Sequence, residues 1–223
     1  METDSATLRP IHAGIRTAHS CADGLLPPPD LVRFSGLRLL GLDAYGRALD
    51  WLSWQDATCL YARGAVAWTL GEPCLEVHGG TNRASGLRSV LQLHPIIAAR
   101  GHARPRALDP TPALTNPALF ARDQHLCLYC GRECPRSVLT RDHVHPVSRG
   151  GRDIWENVVS ACYACNSRKG NRTPQQAGMP LLAVPYRPSW IEHLILSNRN
   201  ILADQMAFLK AQLPKKSPRA PDN

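Results

Sequence analysis

Two cysteine pairs, Cys127-Leu128-Tyr129-Cys130 and Cys162-Tyr163-Ala164-Cys165, stand out for their type and spacing. Zinc takes four thiolates tetrahedrally without a directional d-electron preference. A C-x-x-C turn presents two sulfurs from one tight bend, so two such turns complete a closed site. Gly131, just after the first pair, suits the left-handed backbone such knuckles need. With four thiolates the zinc has no open position for water and serves as a structural clamp. Chemistry must therefore reside in the 31 residues between Cys130 and Cys162 and in the stretch just beyond Cys165. That insert carries Leu139-Thr140-Arg141-Asp142-His143-Val144-His145-Pro146, where a carboxylate adjoins an imidazole. A neutral histidine can accept a proton near neutral pH, and a carboxylate can hold a hard cation. Cys134 is a fifth nearby thiol left out of the ligand set; Cys21, Cys59 and Cys74 read as core or bystander residues.

The elements that would position these groups emerge from local patterning. Leu139 to Val144 has strand character, Gly150-Gly151 permits a loop, and Asn157 to Ser160 can form a second strand. A helix can start from the second knuckle and run to Lys169. Two strands and a helix bring Asp142, His143 and Asn166 close together. Thr173-Pro174-Gln175-Gln176 reads as an N-cap, a proline at the first helical position and a capping box. Trp155 reads as core.

The full pattern is Asp142-His143-Val144-x-Pro146, Ser148-Arg149-Gly150-Gly151, Trp155-Glu156-Asn157, then Cys162-x-x-Cys165-Asn166-x-x-Lys169-Gly170-Asn171-Arg172-Thr173-Pro174. It resembles the HNH endonuclease motif, a ββα-metal fold clamped by a four-cysteine zinc, over roughly residues 120–179. The resemblance implies that His143 is the general base and that Asp142 is a ligand of a catalytic divalent ion. It implies that Asn157 holds the loop and orients the base, and that Asn166 occupies the third motif position as a second metal ligand. Asn166 stands where the family name has histidine; an amide oxygen favours Mg²⁺ or Mn²⁺. The implied reaction is phosphodiester hydrolysis in nucleic acid, with DNA the family default and double-stranded DNA the expected partner, leaving 5′-phosphate and 3′-hydroxyl ends. Arg141, Arg149, Arg168, Lys169 and Arg172 are candidates for phosphate contacts. The competing reading is a zinc-dependent nucleic-acid-binding module without cleavage, although phosphate docking alone needs no acid–base pair.

Outside the motif the chain is less informative. Residues 1–35, with Pro27-Pro28-Pro29, read as an irregular arm. Residues 36–100 read as a small α+β domain. In it, strands at Leu37–Leu42 and Ala48–Leu52 flank a turn, Ser53 and Asp56 open a helix, and further strands lie at Ala65–Thr69 and Leu75–Val77. Residues 101–118 contain four prolines and read as a linker. The nuclease-like domain spans 119–180, residues 181–213 supply C-terminal helices, and 214–223 form a disordered tail. The expected class is thus α+β: a ββα-metal core with structural zinc, between a small α+β unit and C-terminal helices.

Lysines and arginines number 26 against 18 acidic residues, a net charge of +8. Such a surplus favours polyanionic partners by counterion release, though an arginine-rich surface with no partner accounts for it equally. No run of eighteen apolar residues argues for a membrane span, and the first thirty residues lack a signal-peptide pattern. Paired cysteines in such a chain fit a reducing cytoplasm. Recognition sequence and oligomeric state are not encoded legibly.

Overall fold

The computed structural model describes residues 36–100 and 110–215. The expected amino-terminal arm, the first part of the linker, residues 216–223 of the tail and Cys21 lie outside the described residues. The class is mixed α+β.

Strands β1 (Leu39–Asp43) and β2 (Ala48–Leu52) form an antiparallel hairpin. Asp43 Oδ1 accepts the backbone N–H groups of Tyr45 and Arg47, and Gly46 supplies the positive φ of +87° that closes the turn. Helix α1 (Trp54–Ala62) starts on Ser53, whose hydroxyl oxygen accepts the N–H of Asp56. Strand β3 (Val66–Leu70) comes next, then a separate two-stranded ribbon of β4 (Leu75–Thr81) and β5 (Arg88–Leu93), and then β6 (Ile96–Ala99). The main sheet has the order β2-β1-β6-β3, with β6 parallel to β1 and antiparallel to β3. All four residues of β6 are buried, as a central strand covered on both faces requires. Sequence patterning missed both β5 and β6.

The carboxy-terminal helices cover this sheet. Helix α5 (Trp190–Ser197) and helix α6 (Ala203–Ala211) send Leu194 and Leu209 into a core with Leu40, Leu42, Ile96 and Ala98. Trp51 donates its indole N–H to the Leu194 carbonyl, and Trp190 donates to Leu49. Gln205 is wholly buried, and its amide nitrogen donates to the carbonyls of Arg38 and Pro95 at the entrances of β1 and β6. No described helix is long and apolar enough to cross a membrane.

The second core belongs to the cysteine-rich segment. Helix α2 (Asn116–Arg122) starts on Thr115, with Pro117 in its first turn. It therefore begins inside the stretch expected to be linker. Strands β7 (Leu139–His143) and β8 (Val158–Cys162) pair antiparallel, with Leu139 opposite Cys162 and His143 opposite Val158. Helix α3 (Tyr163–Lys169) leaves directly from β8, and α4 (Pro174–Ala177) has the full Thr173–Gln176 capping box. Leu119, Phe120, Cys127, Leu139, Trp155, Val158 and Ala161 pack as one cluster.

Arg122 organises that cluster. It is 3% exposed and donates to the carbonyls of Trp155, Val158 and Tyr186. Its guanidinium pairs with Asp123 at 2.8 Å and lies over the rings of Trp155 and Tyr186. Asp123 in turn accepts the N–H of Ser160 in β8. Such a buried charge is tolerated because every partner is in place.

Candidate active site and metal centre

The four cysteines of the two knuckles converge. The ligand atoms of Cys127, Cys130, Cys162 and Cys165 all lie within 4.8 Å of one another. Tetrahedral Zn–S bonds of about 2.3 Å set sulfur separations of roughly 3.8 Å, so the donor set fits zinc by chemistry and by spacing. The first knuckle is closed by Gly131, with φ +71°, whose N–H donates to the Cys127 carbonyl. Leu128 N–H donates to Ser160, which docks this knuckle on β8. Cys162 ends β8 and precedes α3, which carries Cys165. Burial would raise the Cys127 thiol, but backbone N–H donors at Cys162, Cys130 and Tyr129 outweigh it and bring its pKa down to about 7. Burial chiefly pushes the Cys165 thiol up, reinforced by the neighbouring sulfurs. A divalent cation bound by these four sulfurs would resolve the crowding by stabilising all four as thiolates. Cys134 is buried alongside but stays outside the ligand set, its thiol facing the Arg132 carbonyl.

The pleat of β7 sorts the insert into two faces, because successive side chains of a strand point oppositely. Thr140 and Asp142 face α3. Asn166 donates its amide to Thr140 Oγ1 at 2.9 Å, and Lys169 Nζ lies 2.8 Å from Asp142 Oδ1. Arg141 and His143 share Asp153: Arg141 Nη1 reaches Oδ2 at 2.7 Å and His143 Nε2 reaches Oδ1 at 2.9 Å. Asp142, His143 and Asn166 nevertheless border one cleft of about 330 Å³, together with Arg141, Ser148 and Lys169. Asp153 was not singled out by sequence reasoning. It lies just after the Gly150-Gly151 loop, where an acidic residue carries no pattern of its own. Desolvation would raise its carboxyl, but the hydrogen bonds from His143 and Arg141 prevail and hold it below the ordinary aspartate range.

Asn157 pins the loop that leaves β7. Its amide oxygen accepts the N–H of His145, and its amide nitrogen donates to the carbonyls of His145 and Arg152. Gly151 passes so close to His145 that any Cβ would overlap the His145 carbonyl oxygen. Gly151→Ala is therefore expected to displace this loop and cost about 1–3 kcal/mol, read as a lowered urea midpoint. An unchanged midpoint would show that the loop yields freely.

The five basic candidates separate. Arg149 and Arg168 are exposed, and Arg149 donates through one nitrogen to Gln176. Arg172 is exposed but donates to the Arg168 and Lys169 carbonyls, capping the end of α3. Arg141 is engaged on the domain's own groups, Asn116, Asp153 and Leu114. Lys169 corrects the expectation most clearly. It is wholly buried, and its ammonium is held by Asp142 and by the His143 carbonyl at 2.8 Å, so it is not placed as a phosphate contact.

For a catalytic divalent ion the donor set is one carboxylate and one amide oxygen on the same cleft. Mg²⁺ and Mn²⁺ are hard cations that commonly use one or two protein oxygens and complete their shell with water and phosphate. Asp142 accepts one hydrogen bond on each oxygen, from Lys169 and from the Tyr129 hydroxyl, which leaves lone pairs for a cation. Asn166 uses its amide nitrogen on Thr140, leaving the oxygen as the ligand end. The residues fit.

A family model described as HNH endonuclease matches residues 127–182, about a quarter of the 223 residues. The matched stretch contains all four clustered cysteines together with Asp142, His143, Asn157 and Asn166. No curated protein matches the chain.

Proposed function

We propose that this protein is a metal-dependent endonuclease acting on DNA, with residues 119–180 as its nuclease domain, a reading supported by the HNH endonuclease family model that matches residues 127–182. The observation that carries the reading is the convergence of Asp142, His143 and Asn166 on one cleft inside a segment held by a four-cysteine centre suited to zinc. Residues 36–100 and the C-terminal helices would then act as the support for that domain.

His143 is the base. An ionised Asp153 can only accept, so Nε2 carries the imidazole proton and Nδ1 keeps its lone pair. Nδ1 takes a proton from water as the water oxygen bonds to phosphorus. The P–O3′ bond breaks, its electron pair stays on the 3′ oxygen, that oxygen takes a proton from a solvent water, and His143 returns its own proton to the resulting hydroxide. Arg141 keeps Asp153 in place, and Asn157 keeps the loop after the base in register. When bound by Asp142 and Asn166, Mg²⁺ or Mn²⁺ would neutralise charge on the nonbridging oxygen and the leaving group. Of the five basic candidates, Arg149 and Arg168 are exposed and are the ones left to meet the phosphate backbone.

The test is incubation of the zinc-loaded protein with supercoiled plasmid. Nicking is expected with Mg²⁺ or Mn²⁺ and none with excess EDTA. Plasmid that is bound but never cut under any of these metals would instead favour the binding-module reading.

A further inference from the structure

We propose that Tyr129 is the positioning residue of Asp142, and that through it the four-cysteine centre sets the affinity of the cleft for its divalent ion. This rests on the reading of Asp142 as a metal ligand.

Tyr129 sits inside the first knuckle, between Cys127 and Cys130, yet its hydroxyl donates to Asp142 Oδ2. Its ring packs against the buried cluster of the domain, so its reach is fixed by packing as well as by the knuckle. Lys169 donates to the other oxygen, Oδ1, from the end of α3, the helix that carries Cys165. Both donors therefore hang from elements that the four sulfurs tie together. Asp142 itself is only 5% exposed, so water has little access to orient its carboxylate. With one donor on each oxygen, the carboxylate plane cannot rotate without breaking a bond. Lys169 is a cation and opposes a nearby divalent ion electrostatically even while it orients Asp142. Tyr129 is neutral, its phenol O–H donates to Asp142, and it orients the carboxylate at no such cost. Outer partners of metal ligands commonly change metal affinity by about 10–100-fold when removed.

The experiment titrates Mn²⁺ into zinc-loaded protein and follows the free ion by electron paramagnetic resonance. Four proteins are compared: wild type, Tyr129→Phe, Asp142→Ala and Tyr163→Phe. Tyr163 is the tyrosine of the second knuckle; its side chain is exposed to solvent, in contrast to the packed ring of Tyr129, so it serves as the control. Tyr129→Phe is expected to keep its zinc and its melting temperature to within a few degrees, yet bind Mn²⁺ about 10–100-fold more weakly. Nicking at saturating Mn²⁺ should recover, placing the defect in metal affinity and not in turnover. Tyr163→Phe should bind as wild type does. Wild-type Mn²⁺ affinity in Tyr129→Phe, beside weakened binding in Asp142→Ala, overturns the inference and spares the ligand assignment. Loss of zinc from Tyr129→Phe overturns it too, by making the residue a structural part of the knuckle. Unchanged binding in Asp142→Ala sinks the ligand assignment itself and this inference with it.

Discussion

His143→Ala is expected to lower the nicking of supercoiled plasmid by about 10²–10⁴-fold, the usual contribution of a positioned general base. The fold should not notice. His143 is the last residue of β7, with its side chain 24% exposed, and its backbone pairing with Val158 does not involve the ring. Asp153 loses one partner but keeps Arg141. The backbone carbonyl that Lys169 uses also remains. Zinc content, melting temperature and Mn²⁺ binding should therefore match wild type, and raising Mn²⁺ should not restore cutting. Asp142→Ala differs in kind, because its defect lies in holding the ion and high Mn²⁺ should recover part of the rate. His143→Ala protein that nicks at the wild-type rate, freed of contaminating nuclease, would show that another group takes the proton.

Cys162→Ser is expected to abolish both the tertiary structure of residues 127–182 and all cleavage. Apparent zinc binding by structural sites contributes roughly 10–16 kcal/mol to folding, as large as the whole stability of a typical domain, about 5–15 kcal/mol. Cys162 is the worst ligand to lose. It closes the β7–β8 register opposite Leu139, caps the start of α3 and lies in the buried cluster. A serine there leaves the thiolates of Cys127, Cys130 and Cys165 close together with a weakened claim on the cation. The expected readouts are less than one zinc per chain by elemental analysis and rapid proteolysis within 127–182. Wild-type zinc content with wild-type cleavage would mean the cluster is not the frame of the domain.

How much of the fold and the site could be read from the chain depends on how local each feature is. The knuckles, the Asp142-His143 pair, Asn157 and Asn166 are short-range spacings, and so are the caps at Ser53 and Thr173. Features made by distant pairing stayed hidden. Ile96–Ala99 is four apolar residues after a proline, too short to tell a strand from a helix turn. Only its pairing with Leu40–Asp43 makes it the centre of a sheet. Lys169 misled for the opposite reason: a lysine after Arg168 ordinarily marks a solvated face, and nothing local announces a buried carboxylate 27 residues earlier. Arg122 and Asp123 likewise look like surface charge until Trp155, Val158 and Tyr186 close around them.

The cover of the main sheet comes from the far end of the chain, and this bears on the order in which the protein can fold during synthesis. Leu40, Leu42, Ile96 and Ala98 are made early, but Leu194 and Leu209, which complete their core, emerge more than ninety residues after β6. The cysteine domain has all its ligands once Cys165 has left the ribosome, and its contacts are comparatively short in sequence. Domains ordinarily fold as they emerge, and long-range pairings wait for both partners. The segment in the middle can thus be native while the strands made before it still have an apolar face in water. Chains released short of Trp190 would carry the full set of four cysteines on an unfinished support.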